Sequence, residues 1–221
     1  MVKLKLSEKL YWFPYRGYKN NGNTCIFKGD INVLVDPGHL FNLGDLTQSI
    51  VKDGLNLRDI DLIILSHGHP DHCQATPKLQ ELTGAKIAMH RLEEKCLPNY
   101  TFYGHIPKFK VDFHLADQLD TGSTKLQILH TPGHTPGSVS FYWSDGGVLY
   151  TGDVVFYRGI GRADLYGGDI QMLKQSIEFL SKLKVECLLP GHHYGFPPNH
   201  IGLIKGKEEV ENNFEYLKRF F

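Results

Sequence analysis

His67-Gly68-His69-Pro70-Asp71-His72 sets three imidazoles and one carboxylate within six consecutive residues. Neutral imidazole is the side chain zinc most often takes, and carboxylate oxygen suits zinc, iron and manganese. Solvated or core histidines rarely crowd in this way. Upstream, Leu62-Ile63-Ile64-Leu65 is a short apolar run of the kind that forms a strand buried on both faces. Downstream, Thr76 is a candidate N-cap, Pro77 suits the first helical position, and Gly84 can end a helix over Lys78–Thr83. The run therefore falls on a strand-to-helix loop, where a rigid sheet aims side chains at a common point. So short a loop cannot easily give all four groups to one ion. It can give some to one ion and some to a neighbour, with Pro70 restricting the turn.

Outward from this loop the same chemistry recurs at strand ends. His134 follows a β segment at 124–130 in Thr131-Pro132-Gly133-His134, Asp153 follows 147–151 in Thr151-Gly152-Asp153, and His192 follows 186–189 in Pro190-Gly191-His192-His193. Each alone is weak, because a single histidine after a strand is usually a surface or core residue. In order behind the first cluster they make one pattern. Around them, Thr24–Lys28 and Ile31–Val35 flank Gly29-Asp30 as a hairpin, Lys86–Met89 reads as a strand, and the stretch from 108 to 151 is β-rich, with further segments near 109–114 and 138–143. Asp120-Thr121-Gly122 and Asp145-Gly146-Gly147 are turns. Asp169 caps an amphipathic helix with Ile170, Leu173, Ile177 and Leu180 on one stripe, and Val210, Phe214 and Leu217 mark a last helix. Without repeat or linker, residues 1–221 read as a single domain of α/β class, a sandwich with helices outside.

Lys+Arg and Asp+Glu balance at 24 each, which points to neither nucleic acid nor a membrane surface and leaves a small molecule as the expected partner. Residues 1–8 lack the apolar core of a signal peptide, and no stretch has the length of a membrane span. Cys25, Cys73, Cys96 and Cys187 show no CxxC pairing and read as reduced thiols of a cytoplasmic protein, Cys73 as a small buried residue. Homo-oligomerisation is left open. Tyr11-Trp12-Phe13-Pro14-Tyr15 and Tyr100-Thr101-Phe102-Tyr103 are aromatic clusters suited to a pocket wall or to core packing.

Val35-Asp36-Pro37-Gly38, the His-x-His-x-Asp-His run, Pro-Gly-His, Gly-Asp and a second Pro-Gly-His, in this order over residues 22–193, resemble the metallo-β-lactamase superfamily. The resemblance implies a four-layer αβ/βα sandwich of two mixed β-sheets with outer helices and a metal site at one edge. It implies that His67, His69 and His134 hold a first ion, Asp71, His72 and His192 a second, and Asp153 bridges them. The ions would be two divalent metals, zinc first, with iron or manganese admissible. Asp36 matches the family's structural aspartate behind the ligand loop, or is a plain strand-ending turn residue. Arg158-Gly159-Ile160-Gly161-Arg162-Ala163-Asp164 with Gly167-Gly168-Asp169 looks like the segment of glyoxalase II-like thioester hydrolases and of persulfide dioxygenases. There Arg162 either pairs with Asp164 or offers its fork to a substrate carboxylate. Glyoxalase II carries a further helical domain with glutathione-binding residues, whereas about thirty residues follow His192 here, so glutathione recognition stays open.

His193 and Tyr194 stand where the family has glycine after the ligand, and are expected to face substrate and steady an oxyanion; His193 is also the alternative ligand to His192. The implied activity is hydrolysis of an ester or thioester-like bond by a hydroxide held between two ions, with Asp71 or Asp153 managing the proton. The alternative is a mononuclear Fe(II) persulfide dioxygenase using only His67, His134 and Asp153; lactonase and phosphodiesterase chemistry share the ligand set. A non-enzymatic binding module would leave that set idle.

Overall fold

The computed structural model describes residues 4–101, 104–197 and 199–221. A first sheet of seven strands runs in chain order: β1 (Leu4–Ser7), β2 (Leu10–Phe13), β3 (Thr24–Phe27), β4 (Asn32–Val35), β5 (Ile60–Ile64), β6 (Lys86–Met89) and β7 (Phe113–His114). It is antiparallel from β1 to β4 and parallel from β4 to β7. The chain then builds β8 (Gln118–Asp120), β9 (Lys125–His130), β10 (Val139–Trp143) and β11 (Val148–Gly152). A two-stranded hairpin of β12 (Val155–Phe156) and β13 (Gly159–Ile160) follows, and then β14 (Cys187–Pro190) and β15 (Ile204–Lys205). The second sheet has the order β15-β14-β11-β10-β9-β8, with β11 and β14 parallel. The helices are α1 (Leu43–Lys52), α2 (Pro70–Cys73), α3 (Thr76–Thr83), α4 (Arg91–Cys96), α5 (Ile170–Leu180) and α6 (Lys207–Leu217). No described helix is long and apolar enough to cross a membrane.

Period-two alternation explains the layers. In β4, Val33 and Val35 face the space between the sheets while Leu34 faces outward; in β5, Leu62 and Ile64 face inward and Ile63 outward. The inner faces meet through Trp12, Phe27, Phe141 and Tyr150. The outer face of the first sheet packs on Leu46 and Ile50 of α1 and Leu79 of α3, and that of the second on Leu173 and Ile177 of α5 and Phe214 of α6. Because both faces of each sheet are covered, the strands read as apolar runs, and the four layers follow.

Several local expectations shift. Thr76 is the first residue of α3, not its cap: Ala75 stands there, already helical at φ −80°, because α2 runs almost directly into α3. The segment at 109–114 shortens to β7, and Phe109 and Val111 instead cover the outer core as irregular chain. Tyr11-Trp12-Phe13 is β2, with Trp12 between the sheets and Tyr11 and Phe13 beneath the helices. Phe102 and Tyr103 lie outside the described residues. Asp169 caps α5 as expected, its Oδ1 accepting from Gln171 N and Met172 N at 2.8 and 2.9 Å.

The start of α5 docks on the loop after β9. Gly133 has φ +129°, and a Cβ there would sit 2.1 Å from Leu173 N. Gly133 O meanwhile accepts from Asp169 N at 2.8 Å. A side chain there must therefore both push against helix backbone and be carried in a conformation L-residues rarely adopt. Gly133→Ala is expected to lower the free energy of unfolding by about 3 kcal/mol, read as a shift in urea midpoint at unchanged slope.

Candidate metal centre

Four strand ends converge on one edge of the sandwich. His67 and His69 follow β5, Asp71 and His72 stand in the single turn of α2, His134 follows β9, Asp153 follows β11, and His192 follows β14. Pro70 at the start of α2 lets the chain turn without wasting an N–H, so Asp71 and His72 project one after the other into the same space. All seven are buried or nearly so. Their ligand atoms fall into two sets, each within 4.8 Å: His67, His69 and His134, and Asp71, His72, Asp153 and His192. His69 Nδ1 is 2.9 Å from His134 Nε2, and His72 Nε2 is 3.2 Å from His192 Nε2. Asp153 faces both sets, with Oδ2 3.6 Å from His134 Nε2 and 3.3 Å from His192 Nε2, and Oδ1 3.1 Å from His72 Nε2.

The outer nitrogens fix which tautomer each ring presents. His134 Nδ1 donates to the Arg162 carbonyl at 2.7 Å, and His72 Nδ1 donates to Asp36 Oδ2 at 2.9 Å. Ser66 Oγ gives its own proton to Asp36 Oδ2 at 2.5 Å, so at 3.0 Å it accepts from His67 Nδ1. In all three rings Nε2 is then the nitrogen turned into the cluster, the one that offers a lone pair when the ring is neutral. His67 Nε2, Asp71 Oδ1 and Asp153 Oδ1 are buried without a hydrogen-bond partner. Buried polar atoms are rarely left so, and a cation among them supplies what the protein does not. The donors fit divalent zinc, iron or manganese.

The two sets differ in charge. Burial pushes His67 far below the ordinary imidazole range, His69 down to about 3, and His134 down as well. Burial also works against a proton on His72 and His192, but the Asp153 carboxylate overrides it, raising His72 strongly and His192 to about 9. Burial raises Asp71 and Asp153 in turn, yet the imidazoles beside them win and hold both carboxyls ionised. Without metal, the first set is a group of neutral donors and the second a nest of imidazolium–carboxylate pairs, whose protons a cation must displace.

Other candidates separate. Tyr194 is half-exposed, stacks on His192 at 4.5 Å between centroids, donates its hydroxyl to Asn20 Oδ1, and borders the cleft of about 350 Å³ above the ligands. Arg162 also borders that cleft, with Nε and Nη2 both on Asp164 at 2.8 Å. His193 turns elsewhere: its Nε2 donates to His200 O at 2.8 Å, and its ring lines a neighbouring cleft. Thus His192, not His193, meets the carboxylates. Tyr100 packs on His69 at 4.7 Å. Cys73 is buried with its thiol pushed upward by burial and donating to Gly68 O, which leaves no thiolate nucleophile.

Two residues escape sequence reasoning. Glu93 is fully buried in α4 and accepts from Gly68 N at 2.8 Å and from Thr135 Oγ1 and Gly137 N at 2.9 Å, which ties the His67–His69 loop to the His134 loop. Asn20 donates to Asp71 Oδ2 at 2.5 Å. Neither sits in a spaced motif: Glu93 has another glutamate beside it, and Asn20-Asn21-Gly22-Asn23 reads as a turn.

Such a sandwich, with histidines and aspartates gathered at one sheet edge, defines a class of metal-binding hydrolase folds. The chain belongs to the metallo-β-lactamase superfamily, whose sequence profile matches residues 20–192. A probable metallo-hydrolase of Methanocaldococcus jannaschii is 32% identical over 189 residues, 80% of this chain and 89% of its own length. A hydroxyacylglutathione hydrolase of Cereibacter sphaeroides is 35% identical over 135 residues, 60% of this chain and 48% of that enzyme. A protein solved in a di-iron-bound form has a TM-score of 0.68 and 28% identity, covering 81% of this chain and 91% of its own.

Two outcomes follow from the geometry. His192→Ala is expected to lower bound metal per chain, measured by elemental analysis, while His193→Ala leaves it unchanged. Asp36→Asn keeps a residue that tolerates the left-handed backbone at φ 51° but removes the charge that orients His72. It should weaken metal binding about 10- to 100-fold in a chelator competition titration.

Proposed function

We propose that this protein is a binuclear metal-dependent hydrolase that cleaves an ester or thioester bond of a small molecule. The observation that carries the reading is Asp153, whose two carboxylate oxygens face His134 on one side and His72 and His192 on the other. A centre for one ion needs no such intermediary. Two divalent ions, when bound, would lower the pKa of a coordinated water toward neutrality and polarise an acyl carbonyl. Zinc is the first expectation, and the di-iron relative supports iron as well.

The chain's own groups do the rest. Asp71 is held by Asn20 through Oδ2, and its carboxylate, at the edge of the cluster, is the group assigned to take and return a proton. Tyr194 stands over His192 at the mouth of the cleft, its hydroxyl positioned by Asn20, as a group for the substrate's acyl portion. Arg162 buttresses the wall, its carbonyl orienting His134 while its guanidinium holds Asp164. The glyoxalase II-like branch agrees with the hydroxyacylglutathione hydrolase relative, which extends well beyond the matched region.

The competing mononuclear Fe(II) dioxygenase would use His67, His134 and Asp153 and leave Asp71, His72 and His192 without a role. Metal-replete protein is expected to hold two ions per chain by elemental analysis, with Asp153→Ala loosening both. His134→Ala should abolish turnover of thioesters while the circular dichroism spectrum stays native. One iron per chain, bound by His67, His134 and Asp153 alone, would overturn the hydrolase.

A further inference from the structure

The segment joining β2 to β3 carries two cations, Arg16 and Lys19, and it is pinned to the ligand loops. Gly22 N donates to Asp71 O at 2.8 Å, Asn23 N to Gly191 O at 2.6 Å, and His39 N to Asn21 Oδ1 at 2.7 Å. The segment closes with Tyr15 N donating to Asn23 Oδ1 at 2.8 Å. It walls a second cleft of about 570 Å³, which meets the metal cleft at Asn20, His192 and Tyr194.

The lining of this second cleft holds Arg16 and Lys19 and no carboxylate. Among the described residues, neither cation is in an ion pair. Arg16 Nη2 donates to His200 O at 2.6 Å, the carbonyl that His193 also uses, while Arg16 Nε is buried with no acceptor. Lys19 Nζ lies over the Phe41 ring, 4.9 Å from its centroid. A buried guanidinium N–H without an acceptor is uncommon, and the fork of arginine matches the paired oxygens of a carboxylate or phosphate. In the metal cleft itself, Arg162 has Nε and Nη2 on Asp164, and Arg158 lies over the Tyr157 and Tyr216 rings.

We propose that the cleft beside Arg16 and Lys19 is a subsite for an anionic end of the substrate, a carboxylate or a phosphate, with the scissile acyl bond lying across Asn20 and Tyr194 at the metal cluster. The inference rests on the hydrolase reading for the acyl bond, and its anion site stands or falls separately.

Two measurements on metal-replete protein test it. Calorimetric titration with succinate and with inorganic phosphate should show saturable binding of one or both, the tighter naming the tail. Affinity should fall about tenfold or more in Arg16→Gln and in Lys19→Gln at unchanged metal content, with surface Lys125→Gln as control. S-succinyl-N-acetylcysteamine should be cleaved with kcat/KM about tenfold above the S-acetyl thioester, and Arg16→Gln should erase that ratio. Anion affinity equal in wild type and both variants, or no binding, overturns the subsite. Anion binding through Arg16 with neither thioester cleaved sustains the subsite and removes the hydrolase reading instead.

Discussion

A carboxylate with no exposure to water, that of Asp36, stands between the two sheets and sets the terms for everything at the metal edge. Burying such a charge is costly unless its oxygens are met by donors, and here four donors meet them. Ser66 N reaches Oδ1 at 2.8 Å, while Ser66 Oγ, His72 Nδ1 and Tyr150 OH reach Oδ2 at 2.5, 2.9 and 2.7 Å. Tyr150 belongs to the second sheet and the others to the first sheet's ligand loop. One anion thereby locks β4, the loop after β5, the turn of α2 and β11 into a single register. The same lock selects the tautomers of His67 and His72. Asp36 adopts φ 51°, a strained conformation for a residue with a Cβ, and Thr24 Oγ1 helps hold it by donating to its carbonyl at 2.6 Å.

A second constraint is close approach of backbones. The ligands reach a common space only if the strand ends carrying them nearly touch. Gly191 shows the limit: a Cβ there would sit 2.3 Å from Asp153 Oδ1. Glu93 performs the complementary task from the far side, joining the two loops of the all-histidine set through backbone amides and Thr135. Asp36 fixes the carboxylate-rich set, Glu93 fixes the imidazole set, and Asp153 lies between.

These long-range ties explain what was legible in the sequence. The seven ligand-type residues announced themselves because each lies in a short local pattern after a strand, five of them directly behind a glycine or proline and His67 and His72 in the same six-residue run. Chemistry and local backbone suffice to read such a signal. The α/β sandwich with outer helices likewise followed from the order of strands and helices, and its four layers from the resemblance. The role of Asp36 stayed undecided between structural anion and turn residue, because its partners lie 30, 36 and 114 residues away. Glu93 was invisible for the same reason: nothing in Arg91-Leu92-Glu93-Glu94 says which glutamate is buried. The aromatic run of β2 stayed open between pocket wall and core packing because a strand covered on both faces and a pocket wall demand the same residues, and the structure places it in the core. His193 showed only that one of two adjacent histidines must turn inward, a choice made by the end of β14.

The charge balance of the finished centre bears on what it can accept. Of the seven ligand-type residues only Asp71 and Asp153 are carboxylates, so on the binuclear reading proposed above two divalent ions would bring four positive charges against two negative ones. The excess lies in a cleft whose walls add Arg158 and, one partition away, Arg16 and Lys19. Low-dielectric walls strengthen such a field, which on the hydrolase reading would favour negative charge developing on an acyl oxygen over the neutral ground state. The same field draws in substrates that already carry a negative group, and it penalises cationic ones. Asp164 would dilute it, were its carboxylate not held by Arg162 at the rim. Of the two roles open to Arg162, pairing with Asp164 or offering its fork to a substrate carboxylate, the structure shows the pairing, while the carbonyl of the same residue orients His134.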